Sequence, residues 1–290
     1  MKLLITGGCG YIGSAVYHHL RSKYAIETVD LQWFGNLNNP NNIVSDFNDL
    51  PKSFYDQFDV IFHTASHSSV PLCKDIHASF DNNVTKLLAL TKKLNKQKFI
   101  YASSSCVYVE SDGTPKIETE LSSPTDGLTL SKTTLDNIMP LLDVEYYGLR
   151  FGSVNGWSPN MRTDLMINSM TTSALKKGEV NVFNAHAHRP IVSTFDIVRS
   201  IEAIINGGDN RGIYNVASFN HNIGEIGKRV ADYMKVPLID KGTSQTYDFT
   251  ISSDKFKKTF SFEFESTVES IVQSILDQPF DDKWGRRDSV

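Results

Sequence analysis

The residues best suited to chemistry lie at the start of the chain. Gly7-Gly8-Cys9-Gly10-Tyr11-Ile12-Gly13 joins an apolar run, Lys2–Thr6, to a helical pattern beginning at Ser14. Asp30 closes a second candidate strand, Ile26–Asp30. Gly7 permits a turn that a Cβ blocks, Gly10 lets backbone approach a pyrophosphate, and Gly13 lets the helix lie close on the strand. Phosphates then meet the free N–H groups and positive dipole end of the helix, with Tyr11 and Ile12 in the same turn. A carboxylate at Asp30 suits a ribose diol and repels a 2′-phosphate. Leu31-Gln32-Trp33 brings no cation to receive one. The expectation is a site for NAD, not NADP.

The elements that must position this turn follow from periodicity. Apolar runs at Ile43–Ser45, Asp59–His63, Lys98–Tyr101 and Val144–Arg150 alternate with helical patterns at Leu50–Gln57, Asp75–Asn95 and Asp126–Met139, the last halted near Pro140. Alternation of this kind implies an α/β fold: a Rossmann-type, doubly wound parallel sheet with right-handed crossovers. Ligands bind beyond the C-terminal strand ends in such sheets. Asp46, Phe47, Ala65, Ser66, the serines at 103–105, Phe151 and Ser153 all fall there, beside the glycine turn and Asp30.

Beyond residue 160 the pattern is mixed. Helices are expected at Asp164–Lys177, Phe195–Ile205, Ile223–Met234 and Ser266–Leu276, with strands at Val180–Val182, Ile191–Val192 and Gly212–Val216. This divides the chain into a dinucleotide-binding unit, 1–160, and a smaller mixed α/β substrate lobe, 161–290, some of whose segments return to the first sheet. The tail Asp281–Arg287 has no assignable role.

Composition narrows the function class. A net charge of −4 over 290 residues gives no basic footprint for nucleic acid. No apolar run is long enough to span a membrane, and the N-terminus enters a strand without a leader pattern. Cys9, Cys73 and Cys106 are odd in number and lack metal-ligand spacing, and His186 and His188 have no acidic or cysteine partner nearby. A cytoplasmic protein without a metal centre is the expectation.

Longer motifs carry a resemblance. Thr6–Gly13, Asp30, Ser45-Asp46-Phe47, His63-Thr64-Ala65-Ser66, Asn83-Val84, Ser103–Tyr108, Ser131-Lys132, Leu149-Arg150-Phe151, Arg189–Ser193 and Ile213–Val216 resemble the NAD-dependent epimerase/dehydratase family, the nucleotide-sugar-modifying extended short-chain dehydrogenase/reductases. The resemblance implies that Asp46 contacts adenine with Phe47 beside it, and that Lys132 bonds the nicotinamide ribose. It implies that Arg189 binds a substrate diphosphate and that Asp164 contacts nucleotide or sugar. Ser104 matches the family hydroxyl that bonds the reacting group, and His67 and Ser68 lie in a loop bordering the sugar. A homodimer through the helices at Asp75–Asn95 and Asp126–Met139 is also implied.

The chain departs from the family at one position. Leu128 stands four residues before Lys132, where the family carries the tyrosine that exchanges the hydroxyl proton. Leucine neither donates nor accepts a proton. Cys106 resembles a cysteine that moves protons in members epimerising at C3 and C5 of a 4-keto sugar, which requires a thiol pKa brought toward neutrality. Three readings stay open: epimerisation with Ser104, Lys132 and Cys106 as the acid/base set; a dehydratase or 4-keto reductase with a different base; and a catalytically silent NAD- or nucleotide-sugar-binding protein. Cys106 also reads as a small buried residue at a strand end, Asp164 as a helix N-cap, and Tyr108 as structural.

Overall fold

A computed structural model describes residues 1–35, 39–108, 113–120 and 123–279, so the tail at 281–287 lies outside the described residues. Its main sheet has seven parallel strands among those residues: β1 (Lys2–Thr6), β2 (Ala25–Val29), β3 (Asn42–Ile43), β4 (Val60–His63), β5 (Lys98–Ser104), β6 (Tyr146–Phe151) and β10 (Gly212–Val216). Their order is β10-β6-β5-β4-β1-β2-β3. The chain winds outward from β1 toward β3, then returns and winds the other way from β4. The switch falls beside β1, where the glycine turn begins, and crevices for ligands form at such points.

Alternate side chains of each strand enter opposite layers. Leu3 and Ile5 pack with Val16 and Leu20 of α1 (Tyr11–Leu20) and Ile197, Ile201 and Ile204 of α7 (Thr194–Asn206). Leu4 packs on the other face, with Leu87 and Leu90 of α4 (Lys86–Thr91) and Leu135 of α5 (Gly127–Ile138). Burial on both faces is why central strands such as β1 and β4 read as near-continuous apolar runs rather than alternating ones.

The single helix expected over Asp75–Asn95 is in fact broken. α3 (Ile76–Phe80) is N-capped by Asp75, whose Oδ1 accepts from the Ala78 N–H at 3.0 Å. A five-residue π turn, Asp81–Thr85, then leads into α4. The reason is Asn83. Its amide accepts from the His67 N–H (2.8 Å) and donates to the His67 carbonyl (3.0 Å) and to Ser131 Oγ (3.1 Å). The widened turn serves the loop after β4, a use typical of π-bulges.

The later chain forms a second layer. β7 (Ser153–Asn155), β9 (His188–Ser193) and β11 (Phe219–Asn222) make one small sheet, and β8 (Val180–Val182) pairs with β12 (Leu238–Asp240). α6 (Met166–Lys177), α8 (Ile223–Met234) and α10 (Val268–Leu276) share a core built on Ile167, Ile226, Val230 and Ile271. β10 and α7, although later in sequence than residue 160, pack on the main sheet. α9 (Asp254–Phe260) joins them through Phe256.

Beneath the C-terminal end of β5 lies a buried ion pair. Asp136 of α5 is 3 % exposed and Arg150 of β6 only 1 %. Arg150 Nε donates to Asp136 Oδ2 at 2.7 Å, and its Nη1 donates to Tyr108 Oη (2.6 Å) and the Glu118 carbonyl (3.0 Å). Asp136 also accepts from Tyr101 Oη and Ser103 Oγ, each at 3.0 Å. Tyr108 is thereby fixed as a structural residue. Breaking such a pair from one side leaves a charge buried without its partner. Arg150→Met is expected to lower unfolding free energy by about 3–5 kcal/mol, read as a fall in the chemical-denaturation midpoint.

Candidate functional site

A cavity of about 310 Å³ runs along the C-terminal edge of the main sheet, from Ser45-Asp46-Phe47 after β3 to Phe151-Gly152-Ser153 after β6. Its floor is the glycine turn. Gly7 has φ +79°, and a Cβ there would sit 2.6 Å from the Ala65 nitrogen. At Gly13 a Cβ would overlap the Gly7 carbonyl oxygen, so helix and turn touch through bare backbone. At Gly10 an added carbon meets Gly7 O at 3.2 Å and nothing else within 4 Å, which leaves the ligand side open.

Asp30 stands at the tip of β2. It accepts from the Cys9 N–H (3.0 Å) and the Gln32 N–H (2.6 Å), which leaves lone pairs for a diol. Burial raises its pKa, against the pull of these backbone donors. Asp46 is held by Lys86 Nζ at 2.6 Å and by the Asn48 N–H at 2.9 Å. Burial alone would raise its pKa, but Lys86 and Asn48 outweigh it and keep the carboxylate ionised. Phe47 packs edge-on against His63 with centroids 4.8 Å apart. His63 is itself a core residue: Thr6 Oγ1 meets its Nδ1 at 2.7 Å, and burial drives its pKa down to about 3.

At the other end of the cavity stand Ser104, Leu128 and Lys132. A capping box at Asp126 and Thr129 starts α5 and so sets the direction of Leu128 and Lys132. Lys132 is 5 % exposed, and its Nζ donates to the Ala102 carbonyl at 2.7 Å. Burial lowers its pKa, and among the described residues no carboxylate bonds to it to reverse that. Ser104 Oγ accepts from the Cys106 N–H at 3.2 Å, capping a short turn over Ser105–Val107.

The structure brings together Gly7, Gly10, Tyr11, Ile12, Gly13, Asp30, Asp46, Phe47, Ala65, Ser68, Ser104, Leu128, Lys132, Phe151 and Ser153 on one cavity. Cys106, Asp164 and Arg189 are not among its lining residues. Burial pushes the Cys106 thiol up to about 11, opposite to the shift an acid/base thiol at neutral pH requires. Arg189 turns its guanidinium to Thr246 Oγ1 and to the His188 carbonyl (3.0 Å). Asp164 pairs with Arg162 at 2.5 Å and does not cap α6, whose N-cap is Leu165.

Arg162, missed by the sequence reading, lines the cavity that Asp164 does not. It belongs to a loop fastened to the glycine turn: Ser158 Oγ donates to the Tyr11 carbonyl (2.7 Å), Asn160 Nδ2 to the Cys9 carbonyl (2.8 Å), and Tyr11 Oη to the Gly156 carbonyl (2.7 Å). Trp33 also lines the cavity, and its ring lies 5.4 Å from that of His67. The residues present fit NAD: a side-chain-free cradle at a helix N-terminus, an acid at the next strand tip, and an apolar far wall. Among the described residues no cluster of His, Cys, Asp or Glu could hold a metal, and no helix is long and apolar enough to cross a membrane.

Comparison with known proteins agrees with this geometry. A UDP-glucose 4-epimerase from Lacticaseibacillus casei is 30% identical over 164 residues, 52% of this chain and 49% of the relative. The chain thus spans about half the length of the curated UDP-glucose 4-epimerases it matches first. Two solved structures share the fold at low identity. A Thermotoga maritima UDP-glucose 4-epimerase, solved with UDP-glucose, superposes with TM-score 0.84 at 20% identity, covering 96% of this chain and 99% of that one. A Bacillus anthracis dTDP-glucose 4,6-dehydratase, solved with NAD, gives 0.81 at 21%, covering 99% and 100%. The family model for NAD dependent epimerase/dehydratase matches residues 3–217. With a glycine cradle, an acid at the β2 tip and a buried lysine on one cavity, the chain belongs to the NAD-dependent epimerase/dehydratase family.

Proposed function

We propose that this chain isomerises a nucleotide-diphosphate sugar, most simply by epimerisation, with NAD held at the glycine turn. Residues 1–160 supply the cofactor site and 161–290 the substrate lobe, apart from the segments that return to the main sheet, and the chain works as a homodimer through the surface of α3, α4 and α5. The observation that carries the reading is Lys132. Its ammonium is buried on the same cavity as the glycine turn and Ser104, where it costs stability and serves no ion pair among the described residues. Bound NAD supplies a hydride acceptor and donor. Gly7, Gly10, Tyr11, Ile12 and Gly13 cradle its phosphates, Asp30 takes a ribose diol, Asp46, Phe47 and Ala65 border the adenosine end, and Phe151 lies at the nicotinamide end.

The chain's own groups then handle protons. Ser104 Oγ hydrogen-bonds a sugar hydroxyl. Lys132, with its pKa lowered by burial, takes or returns the proton through Ser104. Leu128 leaves that exchange one step shorter than in relatives with a phenol, and presents hydrocarbon to the sugar. Cys106, protonated at neutral pH and off the cavity lining, serves only as an acid and only by way of Ser104, which its thiol meets. Ser68, Ser153 and Arg162 face the substrate side of the cavity, while Asp164 meets the nucleotide or sugar and Arg189 the diphosphate, each after leaving its present partners. Leu128 also favours a second reading, a binding protein that holds NAD and nucleotide sugar without turnover.

Incubation with UDP-, GDP- and dTDP-sugars, including 4-keto forms, in D₂O separates the two. Product change or solvent deuterium in the sugar is expected. Binding across the panel with neither supports the silent protein. Leu128→Tyr is expected to crowd the pocket and lower turnover, whereas new oxidation at C4 in an otherwise inert chain favours the second reading.

Lys132→Met is expected to cost about 10²–10⁴-fold in turnover. The same change should raise stability at neutral pH. Because the folded chain holds the Lys132 proton less tightly than the unfolded chain, stability rises with pH from the lowered folded pKa toward the ordinary 10.5. The advantage of Lys132→Met should therefore shrink across that window, as followed by denaturation midpoints at several pH values.

A further inference from the structure

We propose that Trp33 and His67 form a clasp across the front of the dinucleotide trough and hold NAD in it. Trp33 lies four residues past the end of β2, and His67 four residues past the end of β4. β2 and β4 flank β1 on its two sides, and β1 runs directly into the glycine turn. Neighbouring strands lie about 4.8 Å apart, so the ends of β2 and β4 are separated by about 10 Å. The two rings close that gap, with centroids 5.4 Å apart and planes inclined by 45°. A contact between these two loops must cross in front of the turn on which the pyrophosphate rests.

Both halves of the clasp are built to hold position. His67 is clamped at its N–H and its carbonyl by Asn83, and Cys73 Sγ also reaches that carbonyl at 3.4 Å. Trp33 follows Gln32, a non-glycine residue held at φ +60°. The Gln32 N–H donates to Asp30 Oδ1 at 2.6 Å, and the Gly35 N–H returns to the Gln32 carbonyl at 3.0 Å. The carboxylate that meets the ribose therefore also aims the indole. Trp33 lines the cavity yet stays 42 % exposed, an apolar surface that a bound dinucleotide covers.

The clasp concerns NAD alone and stands whether or not any sugar turns over. It is tested by timing release from the NAD-loaded chain, with freed NAD captured by alcohol dehydrogenase and ethanol and followed by NADH absorbance. Trp33→Ala and His67→Ala are each expected to speed release about tenfold, with the double variant little faster than either, while Trp33→Phe stays near the unaltered chain. Tyr233→Phe, an exposed aromatic of α8 that bonds Gln273 Oε1, is the control and should leave release unchanged. Thermal midpoints of the same samples identify general unfolding. Release that is unchanged or slower in Trp33→Ala, acceleration in only one of the two single variants, or failure of the chain to load NAD overturns the proposal.

Discussion

The site depends on the buried pair of Asp136 and Arg150. Both charges are almost wholly removed from water, and their mutual attraction alone does not offset that cost. What completes the balance is satisfaction of the remaining valences: Tyr101, Ser103, Tyr108 and the Glu118 carbonyl each meet one of the two groups. The pair joins three elements at one point. Ser103 pairs in register with Arg150 across β5 and β6, and Asp136 lies one helical turn beyond Lys132 on α5. Ser104 follows Ser103 on β5 and Lys132 precedes Asp136 by one turn on α5, so both adjoin residues that this pair fixes. Arg150 is an interior brace, remote in role from the surface arginines that meet ligands.

Above that brace the cavity combines two environments. The floor offers backbone donors and carboxylates, suited to phosphates and sugars. The far wall around Leu128 offers hydrocarbon and one ammonium. Beside Leu128, the buried Lys132 ammonium is itself the group whose pKa is lowered, with desolvation as the cause.

Much of the main sheet was legible because its strands are buried on both faces and its helices carry regular apolar spacing. Val180–Val182, Gly212–Val216 and Ile223–Met234 were legible to the residue. The π turn at Asp81–Thr85 was not, because apolar periodicity continues across it and the cause, Asn83 reaching the β4 loop, is non-local. β7, β11 and β12 escaped for another reason: each has three or four residues, and Phe219–Asn222 is mostly polar. In the site, the glycine turn and Asp30 form a local pattern in sequence. Arg162 and Trp33 sit in irregular loops, and their place on the cavity comes from hydrogen bonds and ring contacts to distant segments. Conversely, Arg189 has the right residue type, yet Thr246 and the His188 carbonyl hold its guanidinium off the cavity lining, and Cys106 lies off that lining beside Ser104.

The sheet's outer strand has a consequence for how the protein is made. β6 ends at Phe151, but the strand that covers its free side, β10, begins only at Gly212. During synthesis the cofactor-binding strands therefore emerge with one edge bare, and they keep it until the intervening segments of the second layer have left the ribosome. A bare parallel edge is a template for pairing with another chain. Closing it requires a contact distant in sequence, which forms slowly. The half of the molecule that looks most self-sufficient is thus the half that waits longest for completion, and a fragment cut after its last β–α–β unit would carry that unpaired edge permanently.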